Sequence, residues 1–370
     1  MGRTGLICNQ ASVDQGFRHI ADLMYHSKYF ELTTLFGPQH GIRGDVQDNM
    51  VETGHAEDTV TGLPVYSLYS ETREPTEKML SDVDSLVFDL QDVGCRVYTF
   101  IYTMANAMRS CAANGKRFVV CDRPNPIGGT AVEGNVLEKG HESFVGQFPI
   151  PMRHGMTVGE LARLFNEEFG IGCDLEVVEI EGWERPNEYE TTGCSWVMPS
   201  PNMPTVDTAF VFPGTVVFEG TAVSEGRGTT RPFEQIGAPY IDSEKLAKRM
   251  NASDLPGVYF RPVVFLPTFQ KHAGIPCGGV FLHVTDRAVF RPVVTGIALL
   301  ASIMEMYPKE FAWKEPPYEY VFDRNPFDVI EGSSRVRKML EEGKSHGEIE
   351  ESWRTHLDSF NKIRERFLLY

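Results

Sequence analysis

The 370 residues carry 51 Asp and Glu against 35 Lys and Arg, a formal net charge of −16, which argues against a nucleic acid partner, because duplex binding draws on clustered cations facing phosphate. With 42% hydrophobic and 23% charged residues the composition is that of a globular chain rather than a disordered or fibrous one, and the length suits two domains. The longest apolar run, residues 297–304, is far too short to cross a bilayer.

Seven cysteines stand far apart with no C-x-x-C among them. They predict neither a zinc site nor a disulfide scaffold but free thiols in a reducing compartment. The opening MGRTGLICNQ lacks the apolar stretch of a secretory signal. The expected location is therefore cytoplasmic, or periplasmic or secreted if a leader precedes this sequence.

From the start to residue 130, short apolar runs alternate with amphipathic ones, the pattern of a Rossmann-like, mostly parallel sheet with helices on both faces. Strands are expected at Thr4–Cys8, Leu32–Phe36, Leu63–Leu68, Leu86–Leu90 and Phe118–Cys121, with helices over 16–28 and Tyr98–Ala113. Thr157, followed three residues later by Glu160, reads as a capping box opening another helix. A strand at Leu175–Ile180 precedes a proline-rich stretch, residues 181–205, which we read as the seam between domains 1–200 and 201–370. The second, smaller α/β (α+β) domain is expected to hold a helix at Ser243–Asn251, an antiparallel pair at Val258–Leu266 and Gly278–Thr285, a helix at Pro292–Met306 and two closing helices.

Each early strand is followed by a polar loop. These are Asn9–Gln10, GPQHGIRGD (37–45), DLQDVGCR (89–96) and DRPNPIGG (122–129). In open α/β sheets ligands bind outside the carboxyl ends of the strands, so the loops nominate His40, Arg43, Asp45, Asp89, Asp92, Arg96, Asp122, Arg123 and Asn125, with Glu133 close behind. Asp89 and Asp92 stand three apart, where like charges raise one pKa and suit it to acid work; capping the following helix is the competing use of one of them. Arg153 and His154 precede the capped helix and offer an anion site. The stretch Pro213–Pro239, too broken for a plain helix or strand, threads Glu219, Glu225, Arg227, Arg231 and Glu234 between glycines and reads as a binding loop contributed by the second domain. No G-x-G-x-x-G follows the first strand and no Walker pattern occurs, so no nucleotide or other cofactor is expected. No H-x-H, H-E-x-x-H or D-x-D spacing occurs either, and no metal is assigned.

Read together, GPQHGIRGD, QDNMVE, FDLQDVGCRVYTF, DRPNPIGG, VEGN, RHGMTVGELA, PSPNMPT and FEGTAVSEGRGTTRPFEQIGAP resemble the NamZ-type exo-β-N-acetylmuramidases, glycoside hydrolases of peptidoglycan, over essentially the whole chain. The resemblance implies release of N-acetylmuramic acid from the non-reducing end of cell-wall fragments, in a cleft near the meeting of the two domains. The partner it implies is a muramyl sugar or muropeptide, as in cell-wall recycling. Arg227, Arg123 or Arg153 would clamp the lactyl carboxylate. Gln39, Asn202, Asn125 and the aspartates suit the hydroxyls and acetamide, and Tyr98, Tyr102 or Phe218 a ring face. Glu225 or Asp92 is the expected acid, assisted by His40. Many relatives carry Glu in the P-E-H-G form of the loop where this chain has Gln39, which cannot donate a carboxyl proton. Two other expectations stand beside this one: a metal-assisted hydrolase of another small polar substrate, and a muropeptide-binding protein without catalysis.

Overall fold

The computed structural model describes residues 2–47 and 50–370; Asp48 and Asn49 of the QDNMVE run lie outside them. The chain begins with β1 (Arg3–Cys8), α1 (Ile20–Tyr25), β2 (Glu31–Gly37), β3 (Ala56–Glu57), β4 (Pro64–Ser67), β5 (Ser85–Asp89), α2 (Phe100–Ala113) and β6 (Arg117–Cys121). It continues with β7 (Glu133–Val136), β8 (Pro151–Arg153), α3 (Val158–Glu167) and β9 (Asp174–Val178).

Seven of these strands form one sheet in the order β3-β4-β2-β1-β5-β6-β9. All neighbours run parallel except β3 against β4, so the expected mostly parallel sheet is present. Strand alternation splits its side chains between two faces. Ile7 lies in register with Phe36 and Phe88, and Phe88 with Val120, so these four line up across the sheet in the large core beside α2 and α3. Leu6, Cys8, Val87 and Val119 point the other way and pack with Ala21 and Met24 of α1 in a smaller cluster. The Thr157 hydroxyl accepts from the Glu160 amide while Glu160 accepts from the Thr157 amide at 3.0 Å, closing the capping box that the spacing predicts.

The remainder comprises α4 (Val206–Thr215), β10 (Gln235–Ala238), α5 (Ser243–Asn251), β11 (Val258–Phe265), β12 (Cys277–Val284) and α6 (Pro292–Met306). The order β10-β12-β11 is antiparallel throughout. Four short helices close the chain, α7 (Pro326–Glu331), α8 (Arg335–Glu341), α9 (His346–Glu351) and α10 (Arg354–Arg364), where two were expected. Gly332 ends α7 at φ +65°, and Ser345 restarts α9 with its own capping box. One contiguous hydrophobic core runs through elements on both sides of residue 200.

The stretch 213–239 is more regular than its composition suggests. Pro213 and Gly214 lie inside α4, a short 3-10 helix follows at Val216–Gly220, and β10 takes 235–238. Gly214 serves contact rather than flexibility: a Cβ there would stand 1.9 Å from the Pro292 carbonyl oxygen, and one on Gly296 would stand 1.9 Å from the Gly214 oxygen. Helices α4 and α6 therefore meet backbone to backbone, an approach only glycine permits. All seven cysteines are free thiols, and among the described residues no helix is long and apolar enough to cross a membrane.

Candidate active site

Beyond the carboxyl ends of the central strands, α2, α4, the 216–220 turn and the 316–322 segment enclose a polar cavity of about 50 Å³. Six residues nominated by the sequence form part of its wall: Gln39, His40, Tyr98, Asn202, Glu219 and Arg227. Phe212 and Phe233, in edge-to-face contact at 4.7 Å, make an apolar side with Tyr98.

Glu219 and Arg227 are paired. The guanidinium donates through Nε to Glu219 Oε1 at 3.0 Å, and the Tyr318 hydroxyl donates to Oε2 at 2.6 Å. Burial works to raise the Glu219 pKa, but the Arg227 charge and these hydrogen bonds outweigh it and hold the carboxyl below its ordinary value. Behind Arg227 lies Glu225, 3.4 Å from its Nε and 2.7 Å from the Lys271 ammonium.

A second carboxylate, Glu319, faces the same cavity. Its Oε2 accepts from the Tyr69 hydroxyl at 2.8 Å, and its Oε1 stands 3.4 Å from the Gln39 amide nitrogen. Gln39 is oriented in turn by Thr99, whose hydroxyl donates to Gln39 Oε1 at 2.6 Å. Thr99 is the N-cap residue of α2 yet makes no side-chain cap, so its hydroxyl is committed to the site instead of the helix end. Burial pushes the Glu319 carboxyl upward, helped by the nearby Glu219 charge and opposed by Tyr69, Gln39 and Arg227, with a net rise.

Backbone strain gathers here. His40 at φ +72°, Phe233 at φ +64° and Glu319 at φ +44° are three of the eight non-glycine residues with left-handed backbone among those described, and all three line the cavity. Such conformations cost free energy and persist where surrounding structure enforces them, chiefly at functional sites. His40 is further fixed by its Nδ1, 2.7 Å from the Val46 carbonyl oxygen.

The other nominated residues stand elsewhere. Asp92 accepts from the Gly94 amide at 2.7 Å and faces His154 Nε2 at 3.3 Å, both side chains buried away from the cavity wall. Asp92 therefore does not cap α2. The Arg96 guanidinium, fully buried, donates to the carbonyls of Asn135, Ile150, Ile330 and Glu331 at 2.6–3.1 Å, a structural hub with no reach to a ligand. Asn125 holds its own turn, bonded to Met156 and Ile127, and Glu133 accepts from the Val294 amide. Arg153 is likewise spent on backbone, donating to the Ile127 carbonyl at 2.6 Å. Arg43 and Asp45 are exposed on the loop after β2. Asp122 and Arg123 line a separate cavity of about 380 Å³ beside β6, where Arg123 pairs with Asp89. Tyr102 and Phe218 belong to the core. Among the described residues no three His, Cys, Asp or Glu side chains come together as a metal would need.

Sequence reasoning passed over Glu319, Tyr318, Tyr69 and Thr99. The run PPYEY (316–320) held the one signal, an acid between two tyrosines after a proline pair.

A polar cavity at the carboxyl edge of a parallel sheet, holding two buried carboxylates pushed in opposite directions beside an aromatic wall, is an arrangement that acid–base hydrolysis of a glycoside can use. The chain belongs to the NamZ exo-β-N-acetylmuramidase family: the family's N-terminal profile matches residues 4–207 and its C-terminal profile residues 210–370. It is 48% identical over 368 residues to the peptidoglycan β-N-acetylmuramidase NamZ of Bacillus subtilis (strain 168), covering 100% of this chain and 87% of that protein. Two crystal structures of DUF1343 family proteins from Bacteroides fragilis NCTC 9343 share the fold. One has a TM-score of 0.89 at 38% identity and the other 0.76 at 30%, each covering 100% of this chain and 94% of its counterpart.

Proposed function

We propose that this protein is an exo-acting β-N-acetylmuramidase that removes N-acetylmuramic acid from the non-reducing end of peptidoglycan fragments, and that the cavity around Glu219, Arg227 and Glu319 is where it does so. The observation that carries this reading is the pairing of a carboxyl held down, Glu219, with one pushed up, Glu319, on one wall. Glycoside hydrolysis needs one acid in each state.

The remaining wall suits a muramyl sugar. Asn202, Gln39 and Thr99 offer hydrogen bonds to hydroxyls and the acetamide, Tyr98 and Phe212 an apolar face, and Arg227 a planar guanidinium for the lactyl carboxylate. His40 stands close enough to the wall to assist. A volume of about 50 Å³ is below the range of ordinary small-molecule pockets, so this reading has side chains of the wall move aside to admit a sugar ring. Glu225 and Asp92 act at one remove in this reading, the first by fixing Arg227 and Lys271.

The test is incubation with N-acetylmuramyl-β-1,4-N-acetylglucosamine, with and without chelator, following free N-acetylmuramic acid by mass spectrometry. Release unaffected by chelator is the expected result. Calorimetric binding without release would make the chain a muropeptide-binding protein, and release lost with chelator would favour the metal-assisted hydrolase.

A further inference from the structure

We propose that Glu319 is the general acid of this site, the residue that protonates the glycosidic oxygen, and that Tyr69 and Gln39 are its positioning residues. The inference rests on the glycosidase reading above and assigns the proton donor that Gln39 cannot be.

The backbone supplies the first argument. Tyr318 and Val321 exchange amide-to-carbonyl bonds of 3.1 and 2.9 Å, with Glu319 at φ +44° and Tyr320 at φ +64° between them. That is a two-residue hairpin turn with both central residues left-handed, a conformation for which Asn-Gly is the favoured pair. Glu and Tyr occupy it at a local cost, so their side chains must answer to something other than the turn. Tyr320 packs its ring 4.8 Å from the Arg73 guanidinium, which also stacks 4.1 Å from the Tyr69 ring, and so pins the tip. Glu319 is aimed inward.

The second argument is the carboxyl's surroundings. Glu319 is 3% exposed and, among the described residues, forms no ion pair within 4 Å, unlike Glu219 and Glu225, each held against a cation. Its two closest partners, Tyr69 and Gln39, are neutral. A glutamate at position 39 would set a second carboxyl against this one; the amide in its place leaves Glu319 the sole proton carrier in the pair. Burial and the Glu219 charge both favour the protonated form, the form a donor needs before the bond breaks.

In the reaction the bond between C1 and the glycosidic oxygen breaks, its electron pair going to that oxygen, which takes the Glu319 proton. Water supplies the hydroxyl at C1, and the proton it gives up returns Glu319 to its acid form directly or through solvent. No further reactant is needed.

The experiment compares the disaccharide with an aryl β-N-acetylmuraminide whose phenolate leaves without protonation. Glu319→Gln should lose about a thousandfold in kcat/KM on the disaccharide and less than about tenfold on the aryl glycoside, with loss of the alkaline limb of the pH profile. Equal losses on both substrates, or none on either, would overturn the assignment. Should Glu319→Gln not fold, Tyr69→Phe carries the test: it removes a hydrogen bond that favours the carboxylate, so the alkaline limb for the disaccharide should move to higher pH, and an unmoved limb sinks the proposal. Wild-type protein that releases no sugar from either substrate would instead defeat the glycosidase reading itself, and this assignment with it.

Discussion

The Tyr69 hydroxyl donates to Glu319 Oε2 at 2.8 Å although 250 residues of chain separate them. Tyr69 lies two residues beyond β4, the second strand of the seven-stranded sheet, whereas Glu319 belongs to a hairpin just ahead of α7. The carboxyl is thus placed by the sheet as much as by its own turn, and the hairpin cannot shift without breaking a buried hydrogen bond.

Glu219 and Glu319 should titrate against each other. Glu219→Gln removes a negative charge that favours protonated Glu319, so the alkaline limb of kcat/KM should move to lower pH, opposite to the effect of Tyr69→Phe. The variant should also lose activity by about a hundredfold or more, the scale of one lost electrostatic partner in a closed site. A pH–rate series on the disaccharide checks both; a limb that moves upward contradicts the coupling.

Arg96 should matter for stability and not for sugar binding. Arg96→Met strips hydrogen bonds from four buried carbonyls and leaves Glu331, which lies beside it, without a compensating charge. The expected loss is about 3 kcal/mol or more of unfolding free energy, with an unchanged KM for the fraction that folds. Urea titration and initial rates below the midpoint separate the two.

Much of the sheet and two helices of the second half were legible, for reasons that are local. Helix α6 begins with Pro292 at its first turn and continues through an apolar run, and α5 has Asp242 as its N-cap, whose side chain accepts from the Lys245 amide. Helix α4 was hidden because Pro213–Gly214 reads as a breaker when the sequence is taken alone; the close contact with α6 that gives Gly214 its purpose lies some eighty residues away. The strands β7 and β8, with four and three residues, are too short for a periodic signal. At the site, the Gln39–His40 loop and the Glu219–Arg227 segment announced themselves by glycine and charge. Glu319 did not, since what marks it is a dihedral angle and two partners far off in sequence. Asp92 and Glu225 carry the same functional group in equally suggestive runs, and only their pairing with His154 and with Lys271 and Arg227 sets them apart.

The α4–α6 contact predicts a sharp response to one methyl group. Gly214→Ala places a Cβ 1.9 Å from the Pro292 oxygen, and parting the helices should cost about 2 kcal/mol or more. Phe212 and Val216, on the same segment, form part of the cavity wall, so activity at saturating substrate should fall along with the melting temperature. A destabilised protein with unaltered kcat would show that the wall is independent of this contact.

Stability should decline as pH rises toward neutrality, and Glu331 should account for part of it. Burial raises its pKa to about 7 from an ordinary 4.5. The folded state therefore keeps a proton that the unfolded chain gives up, and ∂ΔG/∂pH is negative between those values. The stabilising share is full below about pH 4.5 and gone above about pH 7. Asp122, raised by burial to about 6, acts in the same sense, so the difference between wild type and Glu331→Gln isolates one group. Denaturant midpoints at pH 5 and pH 7.5 should lie closer together in the variant.

The left-handed pair at 319–320 also sets a trap for anyone seeking a hardier enzyme. Replacing Glu319 and Tyr320 by Asn-Gly would relax the turn and, by every local rule, raise the melting temperature. It would also remove the carboxyl and release the ring that clamps Arg73. A screen that rewards heat resistance alone would select this change, while one that rewards sugar release would discard it, and the two rankings would diverge at this corner of the fold.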